Sequence, residues 1–288
     1  RLLMSLLLVG VIGFQTHAQR QSPKSQDYVQ SAVAHIQKSD LHGALPDLNK
    51  AIELDPRNVE AFFIRAQCFF MKGDGDSALL DYTKVIELAP NLPGIERVYN
   101  NRSVLRLMKG DFAGALKDLE LAVVANPNYA DSYSNRGMAR SLTGNLVGAA
   151  TEYQKALELN SNSPATFINR GILRFGQDNF EGALADFDGA IQMAPTAAKP
   201  YVDRGVLRIF AGETDLAIAD IKKAISLDPA SVSEKDPGFL SSPFKRLQTF
   251  ISSHPNDARG YEARGILRFI QGRRAEATLD FTKGAELN

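Results

Sequence analysis

A period of 34 residues runs through most of the sequence and limits the chain to a repeat fold. The period is clearest in four arginines spaced 34 residues apart, Arg102, Arg136, Arg170 and Arg204. Four alanines keep the same spacing, namely Ala115, Ala149, Ala183 and Ala217. A fixed period of this length is typical of arrays in which each repeat is one supersecondary unit that buries its apolar face against its neighbours.

Each period contains the pattern of two helices. The first half carries an aromatic residue followed by Arg-Gly or Arg and another small residue, and it stops at a turn such as KGD, TGN or AGE. Such turns combine glycine with N-cap residues. The second half, for example ALADFDGAIQMAP, places apolar residues at helical spacing and ends at a proline. The sequence therefore predicts an all-α chain of helix-turn-helix units.

This unit resembles the tetratricopeptide repeat in its length, its copy number and its order of aromatic, glycine, alanine, aromatic, alanine and proline positions. The resemblance implies a right-handed superhelical solenoid of stacked helix pairs whose first helices line a concave surface. Seven copies are expected, at residues 25–58, 59–92, 96–129, 130–163, 164–197, 198–231 and 258–288. The expected organisation is six tandem units over 25–231, a loop with a degenerate half-repeat over 232–257, and a terminal unit over 258–288.

Two interruptions break the period. Arg65 and Arg102 are 37 residues apart, because three residues are inserted near 93–95. Arg204 and Arg264 are 60 residues apart, eight short of two periods. There the stretch SEKDPGFLSSP indicates a loop, and FKRLQTFISSHP is typical of a second helix whose first helix is mostly lost. We expect a kink or a functional insertion at this point.

The first 18 residues differ from the rest and are typical of a secretory signal. Residues 2–14, LLMSLLLVGVIGF, form an apolar run that is shorter than the ~20 residues of a membrane-spanning helix. Thr16 and Ala18 supply the small residues that signal peptidase accepts before its cut. The sequence predicts cleavage after Ala18 and export to the periplasm or the extracellular space. An uncleaved membrane anchor is the alternative.

Composition and motifs argue against catalysis. Thirty-three Lys and Arg residues balance thirty-three Asp and Glu residues, so no net field attracts a nucleic acid. The single cysteine, Cys68, excludes an intrachain disulfide and a cysteine-based zinc cluster. Asp74 and Asp76 alternate but lack the further ligands of an EF-hand, and no hydrolase, metalloprotease or nucleotide-binding motif is present. We expect no enzyme activity, no cofactor, no metal and no nucleic-acid partner.

The predicted function is a scaffold that binds an extended peptide or protein segment in the concave groove. Residues three and four apart share one side of a helix, so one face of each first helix should line the groove. Its apolar members include Met138, Ile172, Phe175 and Val206. Packing of these residues against neighbouring repeats is the alternative, since apolar residues at helical spacing are core by default.

A different class of function stays open for this sequence. It stops at Asn288 with no polar capping helix, which would leave an apolar end available to another copy. The alternative to a peptide-binding scaffold is a structural component that self-associates through its C-terminal end by end-to-end stacking.

A polar column lies directly before the periodic arginines. Its members are Asn101, Asn135, Asn169 and Asp203. In long superhelical members of the family that the repeat resembles, asparagines one position earlier in the repeat than this column hold a peptide backbone. The resemblance implies the same role for the column here. An amide offers both a donor and an acceptor to a peptide group. Alternatively, these side chains bond across repeats or face water.

Acids recur in step with the arginines. They are Asp118, Glu152, Asp186, Asp220 and Asp280, and the arginines expected to pair with them are Arg102, Arg136, Arg170, Arg204 and Arg264. Because the two helices of a unit run antiparallel, we expect a ladder of partly buried ion pairs rather than an anion-binding site. A second arginine follows four residues later, at Arg106, Arg140, Arg174, Arg208 and Arg268, and the sequence assigns it no partner.

Overall fold

Fifteen α-helices and one 3₁₀ segment make up the part of the chain that the structure, a computed structural model, describes: residues 23–232 and 243–287. In chain order they are α1 (Pro23–Gln37), α2 (Leu41–Leu54), α3 (Val59–Met71), α4 (Gly75–Leu88), α5 (Ile95–Met108), α6 (Phe112–Ala125), α7 (Ala130–Leu142), α8 (Leu146–Leu159), α9 (Pro164–Phe175), α10 (Phe180–Met193), α11 (Ala198–Phe210), α12 (Thr214–Leu227), the 3₁₀ segment (Pro229–Val232), α13 (Pro243–Ser253), α14 (Ala258–Ile270) and α15 (Arg274–Leu287). The predicted signal, residues 1–18, and residues 233–242 of the predicted insertion lie outside the described residues.

The turns inside the helix pairs set where the second helices begin. After α5, Gly110 adopts φ 78°, a left-handed conformation that residues with a Cβ rarely take. The next residue, Asp111, caps α6 by accepting a hydrogen bond from the Gly114 amide at 2.9 Å. The helices α2, α4 and α10 begin with the same kind of cap, supplied by Asp40, Asp74 and Asn179. A turn of the KGD type therefore ends one helix and starts the next.

The described helices pack as consecutive pairs within two compact units. The first unit ends at Asn145 and contains α1–α7, and the second begins at Leu146 and contains α8–α15. The closest packing joins α1 to α2, α3 to α4, α5 to α6, α9 to α10, α11 to α12 and α14 to α15. The predicted all-α fold class is confirmed. Among the described helices, none is both long enough and apolar enough to cross a membrane.

Small residues let the paired helices approach closely. The four periodic alanines of the second helices are fully buried. On α9, Gly171 faces the ring of Phe187 on α10, and a Cβ added to this glycine would lie 2.6 Å from the ring. Phe187 is itself buried, so its ring has little room to move aside. The glycine that recurs after the arginine is therefore a packing requirement.

A single helix, α13, occupies the place where the period predicts a helix pair. The first helix after it, α14, therefore runs in the opposite direction to the first helix before it, α11. At the end of α11, Phe210 contacts Phe250 of α13, with ring centroids 4.8 Å apart, and the guanidinium of Arg259, at the start of α14, lies over the same Phe210 ring. Just after α14 ends, Gln271 donates a hydrogen bond to the carbonyl of Val232, which follows α12. The chain runs back along α11 in α12, so Val232 lies near the start of α11. The start of α14 thus lies near the end of α11, and the end of α14 lies near the start of α11. The two helices are therefore antiparallel, although both are first helices in the repeat pattern.

Candidate functional site

Each arginine–aspartate cluster is built on one buried carboxylate. On α10, Asp186 accepts two hydrogen bonds from Arg170 of α9, at 3.0 Å from Nε and 2.6 Å from Nη2. This bidentate geometry fits a planar guanidinium to a carboxylate. The same pairing joins Arg65 to Asp81, Arg102 to Asp118, Arg204 to Asp220, and Arg264 to Asp280. The periodic arginines of the first helices and the periodic acids of the second helices are therefore in contact in all of these helix pairs.

The second arginine of the motif binds the same carboxylate as the first. Arg174 lies one turn after Arg170, and its Nη1 is 2.9 Å from Asp186 Oδ2 and 3.1 Å from the Gly182 carbonyl oxygen. Equivalent contacts join Arg106 to Asp118, Arg208 to Asp220, and Arg268 to Asp280. Sequence reasoning missed this partner, although the spacing of four, which puts both arginines on one side of the helix, was a signal for it. Each of these aspartates therefore holds two guanidiniums.

The first arginine also reaches the preceding helix pair. Arg204 on α11 binds Asp220 on α12, and its Nη1 lies 2.6 Å from Asp188 Oδ1 on α10. The hydrogen bond to Asp220, with that to Asp188, raises the pKa of Arg204 above its usual range. Similar contacts to the preceding second helix join Arg65 to Asn49, Arg102 to Thr83, and Arg170 to Gln154. One guanidinium thus links two successive helix pairs.

Aromatic rings complete the surroundings of the first arginines. The guanidinium of Arg170 lies over the ring of Phe167, three residues earlier, at 5.4 Å from the ring centroid. The corresponding rings are Phe62, Tyr99, Tyr133, Tyr201 and Tyr261. A planar guanidinium stacks on a ring and binds a carboxylate at the same time, which a lysine does not do. Because these guanidiniums bind buried carboxylates of the same chain and the first arginine of each cluster also stacks on a ring, the clusters favour a structural role over anion binding.

Arg136 and Glu152 belong to different units. Arg136 lies on α7 of the first unit, whereas Glu152 lies on α8 of the second unit. Their pairing stays a prediction.

The predicted amide column is partly engaged within the protein. In the first unit, Asn101 donates to the Tyr82 hydroxyl at 3.3 Å, and Asn135 donates to Asn100 Oδ1 at 2.9 Å. The latter bond joins α5 to α7. In the second unit, Asn169 and Asp203 occupy the column on α9 and α11: Asn169 is half-buried, and Asp203 is only 4% exposed. Asp203 therefore presents almost no surface to a ligand, whereas the asparagines keep some.

The predicted apolar lining is divided between surface and core. Met138, Ile172 and Phe175 are half-buried, but Val206 is only 2% exposed. Val206 belongs to a buried cluster that includes Val232 and residues of α14, because the reversed α14 packs on α11. At Val206 the apolar side chain therefore packs within the protein, as in the packing alternative, and does not line a groove.

The described residues outside the clusters offer little reactive chemistry. Cys68 lies fully buried in α3, and burial raises the pKa of its thiol to about 11, which disfavours the reactive thiolate. His254 stacks on the ring of Phe250, with ring centroids 4.6 Å apart. Within residues 23–232 and 243–287, no group of three or more His, Cys, Asp or Glu side chains is placed to hold a metal ion.

Comparison with protein families gives matches over more than half of the chain. A tetratricopeptide repeat profile matches residues 29–93 and 104–164, and a second tetratricopeptide repeat profile matches residues 198–231.

Two curated relatives and one solved structure illustrate the likeness. The heat shock protein sti1 homolog of Schizosaccharomyces pombe is 28% identical over 114 residues, which are 37% of this chain and 19% of that protein. Human tetratricopeptide repeat protein 13 is 31% identical over 101 residues, 35% of this chain and 11% of that protein. The chain thus matches less than a fifth of the length of either relative. The crystal structure of a tetratricopeptide repeat protein from Parabacteroides merdae has a TM-score of 0.62 at 21% identity and covers 93% of this chain and 94% of its own, a likeness of fold.

Proposed function

Because the chain belongs to the tetratricopeptide repeat family, we propose that it binds an extended segment of a protein partner on the first helices α5 and α7. Tetratricopeptide repeat proteins are non-catalytic scaffolds that bind protein partners, and the chain is a protein-interaction scaffold of this kind. The proposal adds the place of binding and the form of the ligand.

The observation that carries the proposal is the unused hydrogen-bonding capacity of two equivalent amides. Asn101 and Asn135 are half-buried, and each amide nitrogen makes one hydrogen bond, to Tyr82 and to Asn100. A side-chain amide has two N–H donors and a carbonyl oxygen, so each asparagine keeps a donor and an acceptor. An extended main chain presents the matching C=O and N–H groups without requiring a particular sequence.

Apolar surface on the next turn supports the same ligand. Val104 and Met138 lie three residues after the two asparagines, on the same sides of α5 and α7, and both are half-buried. Methionine adapts to differently shaped apolar side chains. We therefore expect a ligand with an extended backbone and uncharged, apolar side chains facing this part of the first unit.

A peptide-display selection against the full chain tests the proposal. The tightest peptide is synthesised, and its Kd is measured by fluorescence anisotropy for the wild type and for the double variant Asn101→Ala and Asn135→Ala. Loss of two hydrogen bonds to the ligand should weaken binding by about tenfold or more. The melting temperature is measured alongside, because the variant also loses its bonds to the buried Tyr82 and Asn100 and must stay folded at the assay temperature. The matched control is Asn128→Ala, an exposed asparagine in the turn before α7, which should leave Kd unchanged. If the double variant binds within about twofold of the wild type, the amide column does not hold the ligand.

We further propose that the chain is exported, on the strength of its N-terminal sequence. The apolar run 2–14 and the small residues Thr16 and Ala18 support this assignment. When expressed in a bacterium, the full chain should appear in the periplasmic fraction with Gln19 as its first residue, and a variant lacking residues 1–18 should stay in the cytoplasm. Retention of both forms in the cytoplasm would contradict export, and recovery of an uncleaved full chain in the membrane fraction would favour the anchor.

A further inference from the structure

Each of the two asparagines of the proposed site belongs to a stripe of side chains that runs along one face of a first helix. The α5 stripe is Arg97, Asn101, Val104 and Met108, and the α7 stripe consists of the equivalent residues Asp131, Asn135, Met138 and Leu142. Residues with these spacings of four, three and four lie within about 60° of one another around the helix. All eight are half-buried or exposed, so both stripes reach the surface.

The chemistry of each stripe changes at its asparagine. Towards the start of the helix, about 6 Å before the asparagine along the helix axis, lie Arg97 and Asp131. Towards the end of the helix, about 10 Å after it, Met108 is 55% exposed and Leu142 is 37% exposed. The two amides therefore separate a polar flank, Arg97 and Asp131, from an apolar flank, Met108 and Leu142.

The two flanks extend over two helices. Asn135 on α7 donates to Asn100 on α5, and the chain returns through α6 between them, so α5 and α7 lie side by side and run in the same direction. On α3, Ile64 occupies the asparagine position and is only 1% exposed. On α9, Ala165 and Gly176 occupy the positions of the polar and the apolar flank. Among these first helices, both flanks are therefore present on α5 and α7 alone.

A main chain held by the two amides presents its side chains to both flanks. In an extended chain, successive side chains point in opposite directions, and the N–H and C=O groups point roughly at right angles to them. When these main-chain groups point down to Asn101 and Asn135, the side chains lie along the surface, alternately towards the starts and the ends of the helices. Every second side chain therefore meets the apolar flank, and those between meet the polar flank.

We propose that the partner segment is amphipathic, with apolar and polar side chains in alternation. This inference rests on the proposed function, because it takes the main chain to be held by Asn101 and Asn135. The apolar side chains gain by covering the exposed surface of Met108 and Leu142. An apolar side chain on the other flank would take polar groups out of water without bonding to them. Two helices, each about 10 Å across, are spanned by about six extended residues.

Two fluorescein-labelled hexapeptides of the same composition test the alternation on the full chain. One is Leu-Gln-Leu-Gln-Leu-Gln, and the other is its block isomer, Leu-Leu-Leu-Gln-Gln-Gln. Their Kd values are measured by fluorescence anisotropy. The alternating isomer can place every leucine on the apolar flank, whereas the block isomer must turn a leucine towards the polar flank. We expect the alternating isomer to bind about tenfold more tightly.

Two variants assign this preference to the apolar flank. The double variant Met108→Gln and Leu142→Gln makes the flank polar at exposed positions, and the Kd values of the two isomers should then agree within about twofold. The matched control is Val124→Gln, because Val124 is 79% exposed but lies on the second helix α6, outside both stripes. The control should keep the tenfold preference.

The results separate failure of the alternation from failure of the proposed function. If the wild type binds both isomers equally and Asn101→Ala with Asn135→Ala weakens both, the alternation is wrong and the proposed function stands. Binding of the display-selected peptide but of neither isomer, or a preference that survives Met108→Gln with Leu142→Gln, also overturns the alternation. If the asparagine double variant binds the alternating isomer as tightly as the wild type does, the amides do not hold the main chain and both proposals fail.

Discussion

Replacing Asp186 by Asn should cost far more stability than the same change at Asp188, two residues later on α10. Both carboxylates accept a hydrogen bond from an arginine at 2.6 Å. They differ in burial, because the side chain of Asp186 is 2% exposed and that of Asp188 is 43% exposed. The two substitutions therefore separate the effect of burial from the effect of contact distance.

The expected magnitudes follow from the two environments. Asp186→Asn leaves the guanidiniums of Arg170 and Arg174 without a counter-charge, and breaking a buried ion pair in this way costs about 3–5 kcal/mol. The two arginine side chains are 14% and 30% exposed, and water relieves part of this cost, so we expect about 3 kcal/mol. Asp188→Asn removes a half-exposed partner of Arg204, for which we expect less than about 1 kcal/mol.

Urea denaturation of the full chain at neutral pH, followed by circular dichroism, measures both costs. Urea is uncharged and leaves the ion pairs unscreened. Repeat arrays need not unfold in one step, so hydrogen exchange of α9–α12 supplies the local free energy of opening. If the two substitutions differ by less than about 0.5 kcal/mol, which is the range of ordinary surface changes, burial does not set the strength of the cluster.

A triple variant identifies the physical origin of the cost. Arg170→Met, Arg174→Leu and Asp186→Leu together remove all three charges and fill the space with apolar side chains. Replacing a whole buried ionic cluster in this way is often neutral or stabilising, so the triple variant should recover most of the stability that Asp186→Asn loses. If it is as unstable as the single variant, the cost reflects lost attraction within the cluster rather than two uncompensated charges.

Two further predictions concern packing and burial. Gly171→Ala should destabilise the chain by about 1–3 kcal/mol, because its methyl group meets the buried Phe187 ring. Gly189→Ala, whose Cβ would lie at an ordinary 3.4 Å from Phe167, should stabilise the chain by up to about 1 kcal/mol; urea melts that give both changes the same sign would contradict this contrast. Cys68 should react with a thiol reagent at about pH 8 only after the first unit opens, since burial raises its pKa to about 11. Prompt labelling of the folded chain would show that the thiol is accessible.

The sequence predicts those parts of the fold that depend on spacing within one repeat. The period places the helices, and the antiparallel pair brings the column of Arg170 against the column of Asp186. The partner of Arg174 was not predicted, because assigning each acid to one arginine leaves no acid for the second. A carboxylate has two oxygens and several lone pairs, and only the geometry shows that Asp186 Oδ2 serves Arg174 as well.

The burial of Val206 could not be predicted from the period, because it depends on the stretch where the period fails. Its position in the repeat is equivalent to that of Met138 and Ile172, which are half-buried. The difference arises because one helix, α13, replaces a pair and α14 then lies antiparallel on α11. The direction of a helix after an irregular connection depends on the path of the chain, which spacing alone does not specify.

The effect of a substitution on ligand binding and its effect on stability can be separated at two neighbouring residues, Asn101 and Arg102. Successive residues of an α-helix point about 100° apart, so Asn101 and Arg102 lie next to each other but face different surroundings. Asn101 is half-buried and makes one hydrogen bond to Tyr82, whereas Arg102 is buried and binds Asp118, which is 1% exposed. Removing the amide should therefore affect a ligand on the surface and leave the arginine–aspartate cluster intact, at the loss of one hydrogen bond to the buried Tyr82. Removing the guanidinium would strand Asp118 and weaken the helix pair that carries the amide. Only the asparagine variants can thus assign a loss of binding to contact with the ligand.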